Sequence, residues 1–137
     1  MSKLEAALNA WAPRILSVLR IMAALMFIEH GTQKLFNFPA PAQPMPSPLP
    51  PMLLWGGIIE FSGGSLLALG LFTRPVAFIL SGQMAVAYFM VHAPRGFYPI
   101  NNMGDFAILF CFVFLYFVFA GPGPWSLDAL IARKKLT

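Results

Sequence analysis

The chain has 137 residues, of which 58% are hydrophobic and only 10% charged, and its formal net charge is +4. Globular proteins carry about 25% charged residues, and a soluble domain of this size has too little interior to hide so much apolar surface. A soluble fold and a nucleic-acid-binding role are therefore set aside. The basic residues are scattered along a greasy chain and read as topology signals at a membrane surface. The one cysteine, Cys111, allows neither an internal disulfide nor a C-x-x-C redox pair.

In chain order, Leu4, Leu8 and Trp11 share one helical face ahead of the first long apolar run and suit the headgroup region. Four apolar runs follow, at about 15–36, 53–72, 76–92 and 103–120. Each is near the length that crosses about 30 Å of hydrocarbon at 1.5 Å per residue. Backbone groups in lipid must bond within their own segment, so these runs are helices. The first ends at Glu29-His30-Gly31 with no small-residue cleavage site, so it reads as a permanent helix and not a signal peptide. Between the first two runs, residues 39–51 hold seven prolines in thirteen positions, which excludes a helix and favours an extended segment. Thr73-Arg74-Pro75 predicts a tight turn. Residues 93–101 form a loop broken by Pro94, Gly96 and Pro99, and the Gly121–Pro124 stretch ends the fourth run. Ser126 suits the cap of a short tail helix carrying Leu127, Leu130 and Ile131, with Arg133, Lys134 and Lys135 after it. There is no convincing internal repeat.

Lys and Arg counts set the orientation. With the N-terminus inside, the inner face holds Lys3, Arg14, Arg74, Arg133, Lys134 and Lys135, and the outer face Lys34 and Arg95. Six against two predicts both termini in the cytoplasm. All four helices then bring polar groups to the outer half of the membrane: Glu29, His30, Gln33 and Lys34; Glu60; Gln83, Tyr88 and His92; and Asn101, Asn102 and Asp105. The inner half is apolar apart from Arg20.

Glu60 is the sharpest of these signals. A carboxylate in the middle of a spanning helix costs about 2.5–3.5 kcal/mol on insertion scales, so something must hold it. His30 and Lys34 are i and i+4, hence neighbours, and Arg20 projects within about a quarter turn of them. Gly56, Glu60 and Gly64 share one stripe, with Gly57 and Gly63 beside it, so Glu60 faces a closely packed helix. A carboxylate beside a cation, with a histidine able to exchange protons, makes a small polar site. With walls from Phe27, Phe36, Phe61, Tyr88, Phe97 and Tyr98 it suits a quinone head group or a similar planar molecule. A structural ion pair that only fixes helix register is the plainer alternative. Capping by Asn102 and Asp105 is the plainer account of that pair. The phenylalanines of the last run read as packing or lipid-facing bulk. Two histidines without ligand spacing do not predict a metal site.

Phe27-x-x-His30-Gly31-x-x-Lys34-Leu35, at the end of the first helix, resembles the DoxX family. So does Gly57-x-x-Glu60-x-x-Gly63-Gly64-x-x-Leu67-x-x-Gly70-Leu71-x-Thr73-Arg74-x-x-Ala77, the most specific of the motifs, and so does Asn102-x-Gly104-Asp105. The likeness runs from about Leu16 to Phe119. It implies a small four-helix protein of the bacterial inner membrane, some of whose relatives are linked to quinone-dependent sulfur oxidation or to membrane oxidoreductase complexes. Carried over by motif, the positions are His30, Lys34, Glu60, Asn102 and Asp105. Asp105 stands where the family usually has Glu.

The reading is an all-α integral membrane four-helix bundle, N-in and C-in, forming one domain over residues 1–137 with a polar pocket in the outer half. The leading expectation is a subunit of a membrane redox system that binds a quinone or similar small molecule. Glu60 and His30 would handle protons, Lys34 or Arg20 would hold an anionic oxygen, and Tyr88, Asn102 and Asp105 would complete the pocket. The sequence has no haem, flavin or metal motif, so electrons would come from a membrane redox partner or the ligand; a second copy of the chain is the other expected company. The alternatives are a non-catalytic assembly or scaffold protein and a small-solute or proton pathway.

Overall fold

A computed structural model describes residues 2–135, and among these the regular structure is entirely helical. Helix α1 spans Lys3–Phe36, α2 Pro51–Leu69, α3 Thr73–Ala87, α4 Pro99–Asn102, α5 Asp105–Ala120 and α6 Leu127–Lys134. A single π-helical turn, Tyr88–His92, and a short 3₁₀ turn, Ala93–Arg95, extend α3.

The predicted headgroup segment and first span are one helix of 34 residues that runs through Pro13. It starts at a capping box: the Ser2 hydroxyl accepts from the Glu5 amide, and the Glu5 carboxylate accepts from the Ser2 amide at 2.6 Å. It stops at Asn37 in the left-handed conformation, one of the residues that tolerates it. Helix α2 closes on Gly70 at φ +67°, with the Leu71 amide returning to the Leu66 carbonyl at 3.0 Å, the usual glycine-terminated turn. The proline-rich stretch is irregular, and the predicted loop at 93–101 contains the 3₁₀ turn and the start of α4.

Among the described residues, three helical segments are long and apolar enough to cross a membrane: α1, α2 and the stretch Thr73–Arg95. The fourth predicted span is apolar but has 16 residues as α5, about 24 Å at 1.5 Å per residue and short of the ~30 Å core.

Helices α1 and α2 form one close pair and α3 and α5 another. Glycines set the first. A methyl group on Gly31 would lie 2.6 Å from the Phe61 amide nitrogen, and one on Gly64 2.7 Å from the Ile28 side chain. Small residues thus bring the two backbones together, as the glycine stripe predicts. In the second pair the Ser81 hydroxyl donates to the Cys111 carbonyl at 2.8 Å. Between the pairs, Phe27 meets Phe114 edge-on at 4.8 Å, with Leu67, Leu80 and Phe117 fully buried around them. The last helix therefore divides its phenylalanines: Phe110, Phe114 and Phe117 are core, while Phe106, Phe112 and Phe119 are exposed.

The end that carries both chain termini is tied by polar contacts. Arg20, fully buried, donates to the Leu67 carbonyl at 2.8 Å and to the Trp125 carbonyl at 2.6 Å. The Asp128 carboxylate accepts from the Phe72 and Thr73 amides, each at 2.9 Å, and so caps α3 from the tail. Ser126 caps α6 by accepting from the Ala129 amide, as its sequence position suggests. Arg74 donates to the Val118 and Phe119 carbonyls and satisfies the end of α5.

Candidate functional site

At the opposite end, Glu60 lies nine residues past Pro51, roughly 14 Å along α2. Its side chain is only 4% exposed and that of Lys34 is 22% exposed. The Lys34 ammonium donates to Oε1 of Glu60 and, at 2.6 Å, to Oε2. One cation thus satisfies both carboxylate oxygens. The helix crossing places it there: a methyl group on Gly57 would lie 3.1 Å from the Lys34 Cβ, so the small residue lets the lysine pass over α2 toward Glu60. From α3, the Gln83 amide nitrogen donates to the Gly56 carbonyl at 3.1 Å and reaches Oε1 of Glu60 at 3.4 Å. Removing one member of such a pair strands the other charge, at a cost of about 3–5 kcal/mol.

Two cavities, each about 270 Å³, share this ion pair as a wall. The first lies among α1, α3, the π turn and α5, and takes in His30, His92, Phe27, Met103, Phe106 and Phe110 besides Lys34 and Glu60. The second lies between α2 and α3 and is lined by Met52, Leu53, Trp55, Gln83, Val86 and Met90.

Of the residues predicted from sequence, Glu60, Lys34 and His30 are brought together. His30 is exposed at the first cavity, edge-on to Phe110 at 6.2 Å. Arg20 is elsewhere: it precedes Lys34 by fourteen residues, roughly 21 Å along the helix, and its hydrogen bonds go to carbonyls at the termini end. Its helical phase lies within about 40° of that of Lys34 at 100° per residue, but its depth differs.

Asn102 is not the cap of the last helix, and neither it nor Asp105 lines either cavity. Gly104 holds the cap position, and Asp105 is exposed in the first turn of α5. Asn102 is buried, donating to the Gly96 carbonyl at 2.8 Å and accepting from the Gly104 amide at 2.8 Å. Tyr88 also lies outside both cavities. It stacks on His92, with ring centroids 6.5 Å apart and 20° between planes, and packs against Gly104. Of the other expected walls, Phe36 and Phe61 meet each other at 5.6 Å, and Phe97 and Tyr98 are exposed. Phe106 and Phe110, expected to be packing or lipid-facing bulk, also line the first cavity. Glu29 is exposed and lines neither cavity.

Sequence reasoning left two contributors without a role. Gln83 reaches Glu60 from α3 while its amide nitrogen also donates to the Gly56 carbonyl. His92 has its Nδ1 3.0 Å from the Asn102 carbonyl oxygen. A carbonyl only accepts, so Nδ1 carries the proton and Nε2 is the free nitrogen of the neutral ring. The signals available were the i, i+4 spacing of Tyr88 and His92 and the position of Gln83 on an otherwise apolar helix. Among the described residues no group of three or more His, Cys, Asp or Glu could hold a metal ion.

Long apolar helices around a buried ion pair define a small helical membrane protein. The chain belongs to the DoxX family: that family's profile, DoxX, matches residues 15–93. The match includes the Lys34–Glu60 pair, Gln83 and His92 and ends before α4 and α5. An uncharacterized protein of Haemophilus influenzae is 48% identical over 131 residues, covering 93% of this chain and 98% of its own length. Inner membrane protein YphA of Escherichia coli is 30% identical over 134 residues, covering 88% and 92% respectively. Inner membrane protein YqjF of the same organism is 27% identical over 124 residues, covering 85% and 92%. No solved structure matches.

Proposed function

We propose that this DoxX protein is the small-molecule-binding subunit of a bacterial inner-membrane redox system, and that the first cavity takes a quinone head group or a comparable planar molecule. The observation that carries the reading is the Lys34–Glu60 pair, which forms one wall of a cavity that also holds two histidines and three phenylalanines. The lining fits a quinone and its reduced form: the Lys34 ammonium and the His30 imidazole suit a carbonyl oxygen, the His92 Nε2 suits the hydroxyl of the reduced ring, and phenylalanine rings suit the ring face. A bound quinone would supply the two-electron chemistry. The chain's own part is to orient it, keep water out and manage protons. Lys34 presents positive charge to a ring oxygen. His30 and Glu60 exchange protons with it, and His92, fixed by Asn102, offers a second acceptor. Inner-membrane names among the relatives support the location. The six-to-two basic asymmetry and the shared end of both chain termini support N-in and C-in.

A scaffold role is the second reading. It is favoured by the saturation of the pair, since Lys34 satisfies both Glu60 oxygens without any ligand. The two separate on one experiment. Wild type and Glu60→Gln are purified from native membranes, and co-purifying lipidic molecules and proteins are identified by mass spectrometry. Quinone retained by wild type and lost by the variant supports the pocket. No quinone in either, with unchanged protein partners, leaves the scaffold. A proton leak in proteoliposomes would point to a pathway instead.

A further inference from the structure

The polar groups around the first cavity differ in what they offer a ligand. The Lys34 ammonium has three N–H groups, and two of them are engaged by the Glu60 oxygens. One donor remains. A neutral His30 brings one donor and one acceptor and tips the balance neither way.

His92 differs because the fold fixes its tautomer. Its Nδ1 must carry the proton, being 3.0 Å from the Asn102 carbonyl oxygen, so Nε2 of the neutral ring can only accept. Asn102 is itself buried and held at both ends of its amide, by the Gly96 carbonyl and the Gly104 amide. The Tyr88 ring lies nearly parallel to the imidazole. Nε2 has no hydrogen-bond partner among the described residues. Nor is it sealed inside the protein, for the buried side-chain atoms left unpaired among those residues are Arg20 Nε, Thr73 Oγ1 and Gln83 Oε1. The ring lines the first cavity, and its edge away from Asn102 carries Nε2.

An oxidised quinone has two carbonyl oxygens and no donor. It can answer Lys34, but it leaves His92 Nε2 without a proton. The reduced ring has two hydroxyls, and each can both donate and accept. One can donate to Nε2 while the other accepts from Lys34.

We infer that the first cavity selects the reduced, dihydroxy form of the ring over the dicarbonyl form, and that His92 is the residue that makes the choice. This rests on the reading of the cavity as a quinone site. A site that presents a fixed acceptor rejects an analogue of similar shape that lacks the donor. In a reaction sequence, such a site takes what a quinone-reducing reaction in the same membrane delivers.

The test uses the full chain, labelled with nitrogen-15 histidine, in lipid nanodiscs at pH 8 without oxygen. Duroquinol, duroquinone and duroquinol dimethyl ether are compared at equal mole fraction in the lipid, with binding read as partition in excess of empty nanodiscs. Duroquinol should bind about tenfold more tightly than the other two, about what one hydrogen bond contributes. It alone should move the His92 Nε2 resonance. In His92→Phe, which keeps a flat ring beside Tyr88, the diol should fall to the affinity of the ether. A diol that binds no more tightly than the quinone or the ether overturns the inference and leaves the quinone reading in place. Discrimination that persists in His92→Phe does the same. Binding of none of the three overturns both. Should the phenylalanine variant fold poorly, the three-probe comparison and the resonance shift with His92 in place decide alone.

Discussion

Gly31 and Phe61 bring α1 and α2 to their closest approach: a methyl group on the glycine would lie 2.6 Å from the Phe61 amide nitrogen and 3.0 Å from its Cα. Backbone atoms cannot turn aside as a side-chain end can, so the helices themselves must separate. Lys34 lies about one turn past Gly31 and Glu60 is the residue next to Phe61, so their contact depends on the same crossing. Gly31→Ala should therefore lower thermal stability by about 1–3 kcal/mol, the range for overpacking. Gly82, with nothing within 4 Å of an added methyl group, is the control. Gly82→Ala should be neutral or stabilising by up to about 1 kcal/mol through helix propensity. Thermal unfolding in one detergent, followed by circular dichroism, distinguishes the two; equal effects would show that the crossing tolerates separation.

The ion pair predicts a non-additive pattern. Lys34→Met leaves a carboxylate that is 4% exposed facing Gln83 alone, and should destabilise by about 3–5 kcal/mol. Glu60→Met removes the more deeply buried charge and lets Lys34 extend to the surface, so it should be milder. The double variant should recover most of the loss, because an apolar pair of similar volume often replaces a buried ion pair without penalty. A double-mutant cycle on unfolding midpoints measures this coupling. Additive single effects would mean that the two charges do not depend on each other.

Most of the architecture was legible in the sequence, because continuous apolar runs admit only helices in lipid, and because an isolated Glu60 above a glycine stripe needs a cation on the neighbouring helix. Lys34 answered that need. Arg20 looked equivalent because helical phase repeats along a helix while depth does not. Its true partners, the Leu67 and Trp125 carbonyls, are backbone groups that no side-chain pattern announces. Asn102 misled for a related reason. Its residue type suits an N-cap, but the left-handed turn at Met103 moved the cap to Gly104 and turned the Asn102 side chain into the loop. The length of α5 was overestimated because apolar composition continues through residues that the fold uses as a turn.

Asn102 gives the third prediction. Its side chain joins the Gly96 carbonyl to the Gly104 amide, and its own carbonyl faces His92 Nδ1. Asn102→Ala should loosen the segment from residue 93 to 104, raising amide hydrogen exchange there while leaving α1 and α2 protected. Nitrogen-15 imidazole spectra should show His92 in the Nδ1–H form at alkaline pH in the wild type and a mixture of tautomers in the variant. A wild-type ring protonated at Nε2 would contradict the assignment.

The tail gives the last. Asp128 accepts from two free amides at the start of α3, where a carboxylate meets both the unsatisfied N–H groups and the helix dipole. Arg20 holds the same tail through the Trp125 carbonyl. Asp128→Ala removes a cap and should lower stability by about 0.5–2 kcal/mol. Arg20→Met leaves the Leu67 and Trp125 carbonyls without this donor and should act more strongly at the same place. Both variants should release the tail before the bundle opens, so limited trypsin digestion should cut at Arg133 and Lys134 at lower protease concentrations than in wild type. The readout at the other end separates this from general unfolding. The Lys34–Glu60 contact lies roughly 20 Å away along α1, and, with Trp11→Phe and Trp125→Phe removing the other two tryptophans, Trp55 fluorescence beside it should keep its wavelength when Asp128→Ala is added. A shift there would show that the tail and the ion pair open as one unit.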